Sequence, residues 1–180
     1  MGLPTGRPAR SGLPALVLAM TLAVGLPAVV HAQSARVQLE DAQGTVVGSA
    51  ALSEVPGGFR LRLQVNGLKP GEHGLHIHTV GKCEPPDFAS AGAHLNPYEK
   101  KHGRQNPNGP HAGDLPNLKV AADGRGSLDT INVLATLKDG PNSLFRPGGT
   151  SLVVHADPDD EKTDPAGNSG ARVACGVIAR

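Results

Sequence analysis

The sequence predicts an all-β fold, an antiparallel Greek-key β-sandwich or flattened barrel of about eight strands with two long functional loops. Three observations point there. Short runs alternate apolar and polar residues, glycine and proline punctuate them, and no long stretch carries a helical period. The runs, in order, are Val37 to Leu39, Gly44 to Leu52, Phe59 to Val65, Leu75 to His78, Leu118 to Ala121, Ser127 to Leu134, Ser151 to His155 and Val173 to Ile178. Phe59-Arg60-Leu61-Arg62-Leu63-Gln64-Val65 is the clearest, with one face apolar and the other polar. Turn chemistry separates the runs at Pro56-Gly57-Gly58, Lys69-Pro70-Gly71, Asp123-Gly124 and Arg146-Pro147-Gly148-Gly149. The only stretch with helical character is short, around Leu134 to Lys138. With one Tyr, three Phe and no Trp, the core has to come from Val, Leu, Ile and Ala.

The first 32 residues read as a signal peptide. Arg7 and Arg10 give a basic start, an apolar run follows from Leu13 to Val30, and Val30-His31-Ala32 has the small-x-small pattern of a cleavage site. A membrane anchor would need an unbroken span, and Gly25 and Pro27 interrupt this one. The expected mature domain is residues 33–180, which suffices for one core. Without Arg7 and Arg10, Lys+Arg falls from 17 to 15 against 16 Asp+Glu, a net charge near −1. That balance gives no reason to expect nucleic acid as a partner, nor a membrane once the signal is removed. Cys83 and Cys175 are the only cysteines, and export to an oxidising compartment makes a disulfide between them the default. Its loop would contribute roughly 4–5 kcal/mol by chain entropy. A periplasmic or secreted protein is the expectation, and monomer and homodimer both stay open.

Two stretches break the strand rhythm, Gly81 to Pro116 and Ala156 to Ala171, rich in Gly, Pro, Asn and His. Loops this long in a compact domain tend to be functional. The mature chain has seven histidines, and imidazole is the commonest metal ligand. His76 and His78 lie two apart on a strand and so share a face. His73 has the opposite parity and reads as a structural hydrogen bonder. His94, His102, His111 and Asp114 spread through the first loop. Three imidazoles and a carboxylate can close a tetrahedron around zinc, although loop histidines can also simply face solvent. His155 ends a strand, a position where histidine is commonly structural.

Taken together, these segments resemble a family. Leu75-His76-Ile77-His78, Gly92-Ala93-His94-Leu95-Asn96-Pro97, His102-Gly103, His111-Ala112-Gly113-Asp114-Leu115-Pro116-Asn117, Leu152-Val153-Val154-His155-Ala156 and Gly167 to Ile178 appear in order. In this they resemble the copper/zinc superoxide dismutases, the exported bacterial branch in particular. The likeness is weakest from Gln33 to about Leu68. It implies that His76, His78, His94 and His155 bind copper and that His94, His102, His111 and Asp114 bind zinc, with His94 bridging both metals. It implies a Cys83–Cys175 disulfide, a substrate-guiding Arg172, and an Asp159 that links a copper histidine to a zinc histidine. Catalysis would fall to Arg172 and His94, superoxide being converted to oxygen and hydrogen peroxide by a copper redox cycle with a structural zinc. Lys162 is a further candidate for steering the anion. Many relatives carry threonine where Ala166 stands, which bears on the width of the substrate channel.

The chemistry suits the residues. Four imidazoles suit copper(II), zinc would hold His94 in place, and an arginine fork suits a small anion. A non-enzymatic metal carrier would need a broken ligand set or a missing arginine, and a copper-only enzyme would leave His102, His111 and Asp114 without a purpose.

Overall fold

The computed structural model describes residues 33–180 together with positions 1, 2 and 6. Apart from those three positions, the export segment read over 1–32 lies outside the described residues. Among the described residues nine strands form one antiparallel sheet: β1 (Ser34–Asp41), β2 (Val46–Val55), β3 (Gly58–Val65), β4 (Gly71–His73), β5 (Leu75–His78), β6 (Leu118–Val120), β7 (Gly126–Asn132), β8 (Ser151–His155) and β9 (Arg172–Val177). Their lateral order is β4-β6-β7-β3-β2-β1-β9-β8-β5. The two ends of that order, β4 and β5, are consecutive in the chain and meet at Gly74, so the sheet curls into a nearly closed barrel. The one strand beyond the eight expected is β4, a three-residue piece that Gly74 separates from β5.

Alternation builds the core. Along β1, Ala35, Val37 and Leu39 point inward, and along β3 so do Phe59, Leu61, Leu63 and Val65. They join Ile77, Leu95, Leu118, Leu152 and Val154 in one cluster. Each fully buried side chain of this size stabilises by roughly 1.5–3 kcal/mol. A smaller second cluster joins Phe88, Ala91, Val153 and Cys175 on the other side of β8.

The helical stretch expected around Leu134 to Lys138 is instead an irregular loop. The Asn132 side chain accepts the backbone N–H groups of Leu134 and Ala135, and Glu54 accepts that of Leu137. Those side chains capture the donors that a helical turn would need. The only helical element among the described residues is a 3₁₀ turn over Ala89–Ala91. Among the described residues no helix is long and apolar enough to cross a membrane.

Two features of the barrel position the long loops. Residues 93–95 and 113–115 run beside β5, exchanging backbone hydrogen bonds with Leu75, Ile77 and Thr79. A Cβ at Gly113 would collide with the carbonyl oxygen of Ile77, so this close approach requires glycine. At the end of β8 the register slips, and His155 faces Arg172 with Val173 as the extra residue. Such bulges re-aim side chains at the rim of a barrel.

Candidate metal centre

His76 and His78 leave β5 on one face, and β8 brings His155 beside them. The strand-like pairing of His78 with His94 adds a fourth ring. All four are buried, and their ligand atoms lie within 4.8 Å of one another. Four nitrogens about 2 Å from one ion place opposite pairs about 4 Å apart, so little contraction would close this cluster on a single ion.

Each outer ring nitrogen is already occupied. The pairs are His76 Nε2 with Asp159 Oδ2 at 2.8 Å, His78 Nδ1 with the Gly92 carbonyl at 2.9 Å, and His155 Nδ1 with the Gly170 carbonyl at 3.2 Å. Because each acceptor needs a proton on the nitrogen it meets, the free lone pairs are left on His76 Nδ1, His78 Nε2 and His155 Nε2. Those atoms, together with His94 Nε2 and His102 Nδ1, are buried without a hydrogen-bond partner among the described residues. A buried polar atom without a partner costs about 1–3 kcal/mol. Five in one place need a common explanation.

The second cluster centres on Asp114 Oδ1. His102 Nδ1 lies 3.1 Å from it, His94 Nδ1 3.2 Å and His111 Nδ1 3.4 Å, and the His94 and His111 Nδ1 atoms are 3.5 Å apart. A tetrahedron with bonds of ~2.0–2.1 Å has edges of about 3.3–3.4 Å. The four measured distances are close to the edges of such a tetrahedron. Backbone N–H groups of Gly103 and His111 donate to Asp114 Oδ2 at 2.9 Å each and turn Oδ1 toward the rings. Ligand atoms of His76 also come within 4.8 Å of His94, His102 and Asp114. Asp159 occupies His76 Nε2, and His111 lies outside the set of ligand atoms that are all within 4.8 Å of one another.

His94 is the ring common to both, presenting Nε2 to the first cluster and Nδ1 to the second. Asp159 ties the clusters together from behind, with Oδ2 on His76 Nε2 and Oδ1 3.0 Å from His102 Nε2. Its backbone is clasped by the Asn117 side chain, whose Nδ2 donates to the Asp159 carbonyl and whose Oδ1 accepts the Asp159 N–H. Gly167 covers this carboxylate so closely that a Cβ there would overlap it.

Burial, aided by neighbouring imidazoles, lowers the pKa of His78 to about 2 and of His155 to about 3. His94 falls to about 4, burial outweighing its hydrogen bond to Asp114. Neutral rings with free lone pairs are what a metal requires. His102 differs: burial opposes its charge, but the Asp114 and Asp159 carboxylates beside it win and raise it to about 9. Both carboxylates sit well below the ordinary range despite burial, because histidines and backbone amides surround them.

Arg172 is half-buried at the mouth, its Nη2 donating to the Gly92 carbonyl at 2.6 Å and its Nη1 to that of Phe88. Burial lowers its pKa and nearby Asp87 raises it. It lines a cleft of about 660 Å³ with Asp87, Gly92, Gly170 and Ala171. Cys83 and Cys175 form a disulfide. Lys162 is exposed, and Ala166 stands in the loop whose carbonyl receives Ser169. His73 places its two ring nitrogens 2.7 Å from the carbonyls of His155 and Lys69, a structural contact. Sequence reasoning missed the carbonyl acceptors Gly92 and Gly170 and the part played by Phe88. A backbone carbonyl carries no side-chain signal, although the positive φ of both glycines marks tight turns there.

A barrel whose rim gathers two histidine-rich groups around one shared imidazole has the donor set of a metal-binding protein. The chain belongs to the copper/zinc superoxide dismutase family: the profile of that family (SODC) matches residues 42–178. It is 51% identical over 146 residues to superoxide dismutase [Cu-Zn] 2 of Aquifex aeolicus, covering 80% of this chain and 85% of the relative. It is 45% identical to superoxide dismutase [Cu-Zn] of Caulobacter vibrioides, covering 81% and 85%. A crystal structure of a double-mutant SOD-like protein from Bacillus subtilis superposes with a TM-score of 0.78 at 42% identity, covering 81% of this chain and 97% of that one. The family's cofactors are copper and zinc and its reaction is the dismutation of superoxide, and the histidine clusters fit such a site.

Proposed function

We propose that copper is held by His76 Nδ1, His78 Nε2, His94 Nε2 and His155 Nε2, and zinc by the Nδ1 atoms of His94, His102 and His111 with Asp114 Oδ1. The observation that carries this reading is the set of five buried, unpartnered ring nitrogens around one shared imidazole. When bound, copper supplies the one-electron couple of the reaction, and zinc supplies charge without redox chemistry.

The chain's own groups do the rest. Arg172 draws superoxide into the cleft, and its two carbonyl anchors hold the guanidinium fork still, so little orientation is lost when the anion docks. His94 Nε2, when it is not holding the metal, would take a proton from water and give it to the oxygen that becomes peroxide; water would supply the second proton. Two superoxide ions and two protons thus yield one O₂ and one H₂O₂. Asp114 keeps the His94 ring oriented while its far nitrogen cycles, and Asp159 fixes His76 and His102 in the required tautomers.

We further propose that residues 1–32 are an export signal and 33–180 the functional domain, delivered to a periplasm. The Cys83–Cys175 disulfide supports an oxidising destination. The test is to load the full chain with copper and zinc and follow superoxide removal. Activity should require copper and fall below about 1% in His78→Ala. Tight metal binding without superoxide removal would contradict the reading.

A further inference from the structure

We infer that Phe88 is a positioning residue for Arg172, holding the guanidinium through a left-handed backbone turn that the disulfide cluster locks in place. This rests on the proposed role of Arg172 in docking the substrate anion.

Three independent observations converge on Phe88. Its φ is 54°, a region that a bulky non-glycine residue rarely adopts. Such conformations persist only where the surroundings over-determine them, and they gather at functional sites. The ring supplies that determination. Phe88 is 1% exposed and packs with Ala91, Val153 and both disulfide cysteines, apart from the main core. Its carbonyl, turned outward by the left-handed geometry, receives Arg172 Nη1 and also the Ala91 N–H that closes the 3₁₀ turn.

Backbone and side chain therefore work in opposite directions from one residue. The ring is buried inward against Cys83 and Cys175, and the carbonyl faces the arginine. The second anchor, Gly92, ends the same turn, and its carbonyl also accepts His78 Nδ1. The turn from Phe88 to Gly92 thus sets the distance between the anion-docking group and a ring of the first cluster. The disulfide reaches Arg172 through the Phe88 ring, in addition to the three-residue backbone link from Cys175.

Removing the ring should free the turn, let the carbonyl rotate and leave Arg172 with one anchor. The metal ligands are not themselves touched by the change, and the sulfur bridge loses a packing partner but keeps its bond. The loss should consequently appear in anion docking and run through the arginine.

The test is a double-mutant cycle on the copper- and zinc-loaded full chain, with azide as the anion probe and its affinity read from the change in the copper absorption spectrum. Arg172→Ala should weaken azide about tenfold, and Phe88→Ala about threefold to fivefold, with metal content and disulfide intact. The double mutant should be no weaker than Arg172→Ala alone, and Phe88→Leu should recover most of the loss. Wild-type affinity in Phe88→Ala, or losses that multiply in the double mutant, would overturn the inference. Should Phe88→Ala lose its metals, Phe88→Val takes its place in the cycle: it should weaken azide about twofold to threefold with metals retained, and add nothing to Arg172→Ala. If Arg172→Ala itself binds azide normally, the docking role of Arg172 fails first, and the inference about Phe88 falls with it.

Discussion

The strands β1, β2, β3 and β7 and the rim formed by β5, β8 and β9 with their loops keep their shapes by different means. In the first region, residue i faces residue j across long ladders, from Ser34↔Ser53 through Phe59↔Asn132, with one register shift between Leu39 and Glu40, and alternate side chains turn toward the core. Apolar burial suffices to explain it. In the rim, buried positions are filled by His76, His78, His94, His102, His111, Asp114, His155 and Asp159. Burying so many titratable groups costs free energy unless each is paired, and five ring nitrogens are not. The meander is complete as a polypeptide, whereas the rim becomes complete only with ions.

If that contrast holds, acid should attack the metal-free protein through the rim. His78, His94 and His155 have native pKa values of about 2, 4 and 3, below the ordinary histidine value near 6.5. A depressed native value means that the unfolded chain takes up protons first. Their contribution is therefore intact above about pH 6.5 and is lost as pH falls toward 4. We expect metal-free protein to lose on the order of several kcal/mol across that window in denaturant titrations, and the metal-loaded form to lose much less. His102, raised to about 9, acts in the opposite sense. Its stabilisation is full below about 6.5 and fades as pH rises through 9.

The meander should break in the complementary way. Leu63→Ala, in the middle of β3 and 1% exposed, should cost about 2–5 kcal/mol in thermal or chemical unfolding. At temperatures where the variant is folded, its copper and zinc content should match the wild type. Metal loss in the folded variant would mean that the two regions are less separable than the packing implies.

The smallest effect belongs to the mouth. Arg172→Ala should slow turnover at low superoxide by about tenfold, equivalent to about 1.4 kcal/mol, with both metals retained. Added salt should slow the wild type and affect the variant less, because exposed electrostatics are screened.

The difference between the regions also decides what could be read from the chain alone. The period-two run from Phe59 to Val65 maps directly onto β3, because burial on one face leaves its mark at every second residue. His76 and His78 share a face for the same reason. Three features escaped. The short β4 hides beside Lys69-Pro70-Gly71, where turn chemistry dominates. The stretch from Leu134 to Lys138 looks helical locally, but Asn132 and Glu54 claim its amides from a distance. The left-handed turn at Phe88 leaves no sequence signal, since nothing in an aromatic residue announces a positive φ. The spread of His94, His102, His111 and Asp114 over one loop gave a reason to expect a metal. The close spacing of ring nitrogens about Asp114 Oδ1 appears only in three dimensions, whereas the Asp159 link was already implied by the family resemblance.

The account stands on one imidazole serving two ions. Crystals of the metal-loaded protein, with anomalous scattering recorded on either side of the copper and zinc absorption edges, test it directly. The prediction is two distinct peaks flanking the His94 ring, copper beside Nε2 and zinc beside Nδ1. A single peak, or two peaks with the His94 ring bound to only one of them, would contradict it.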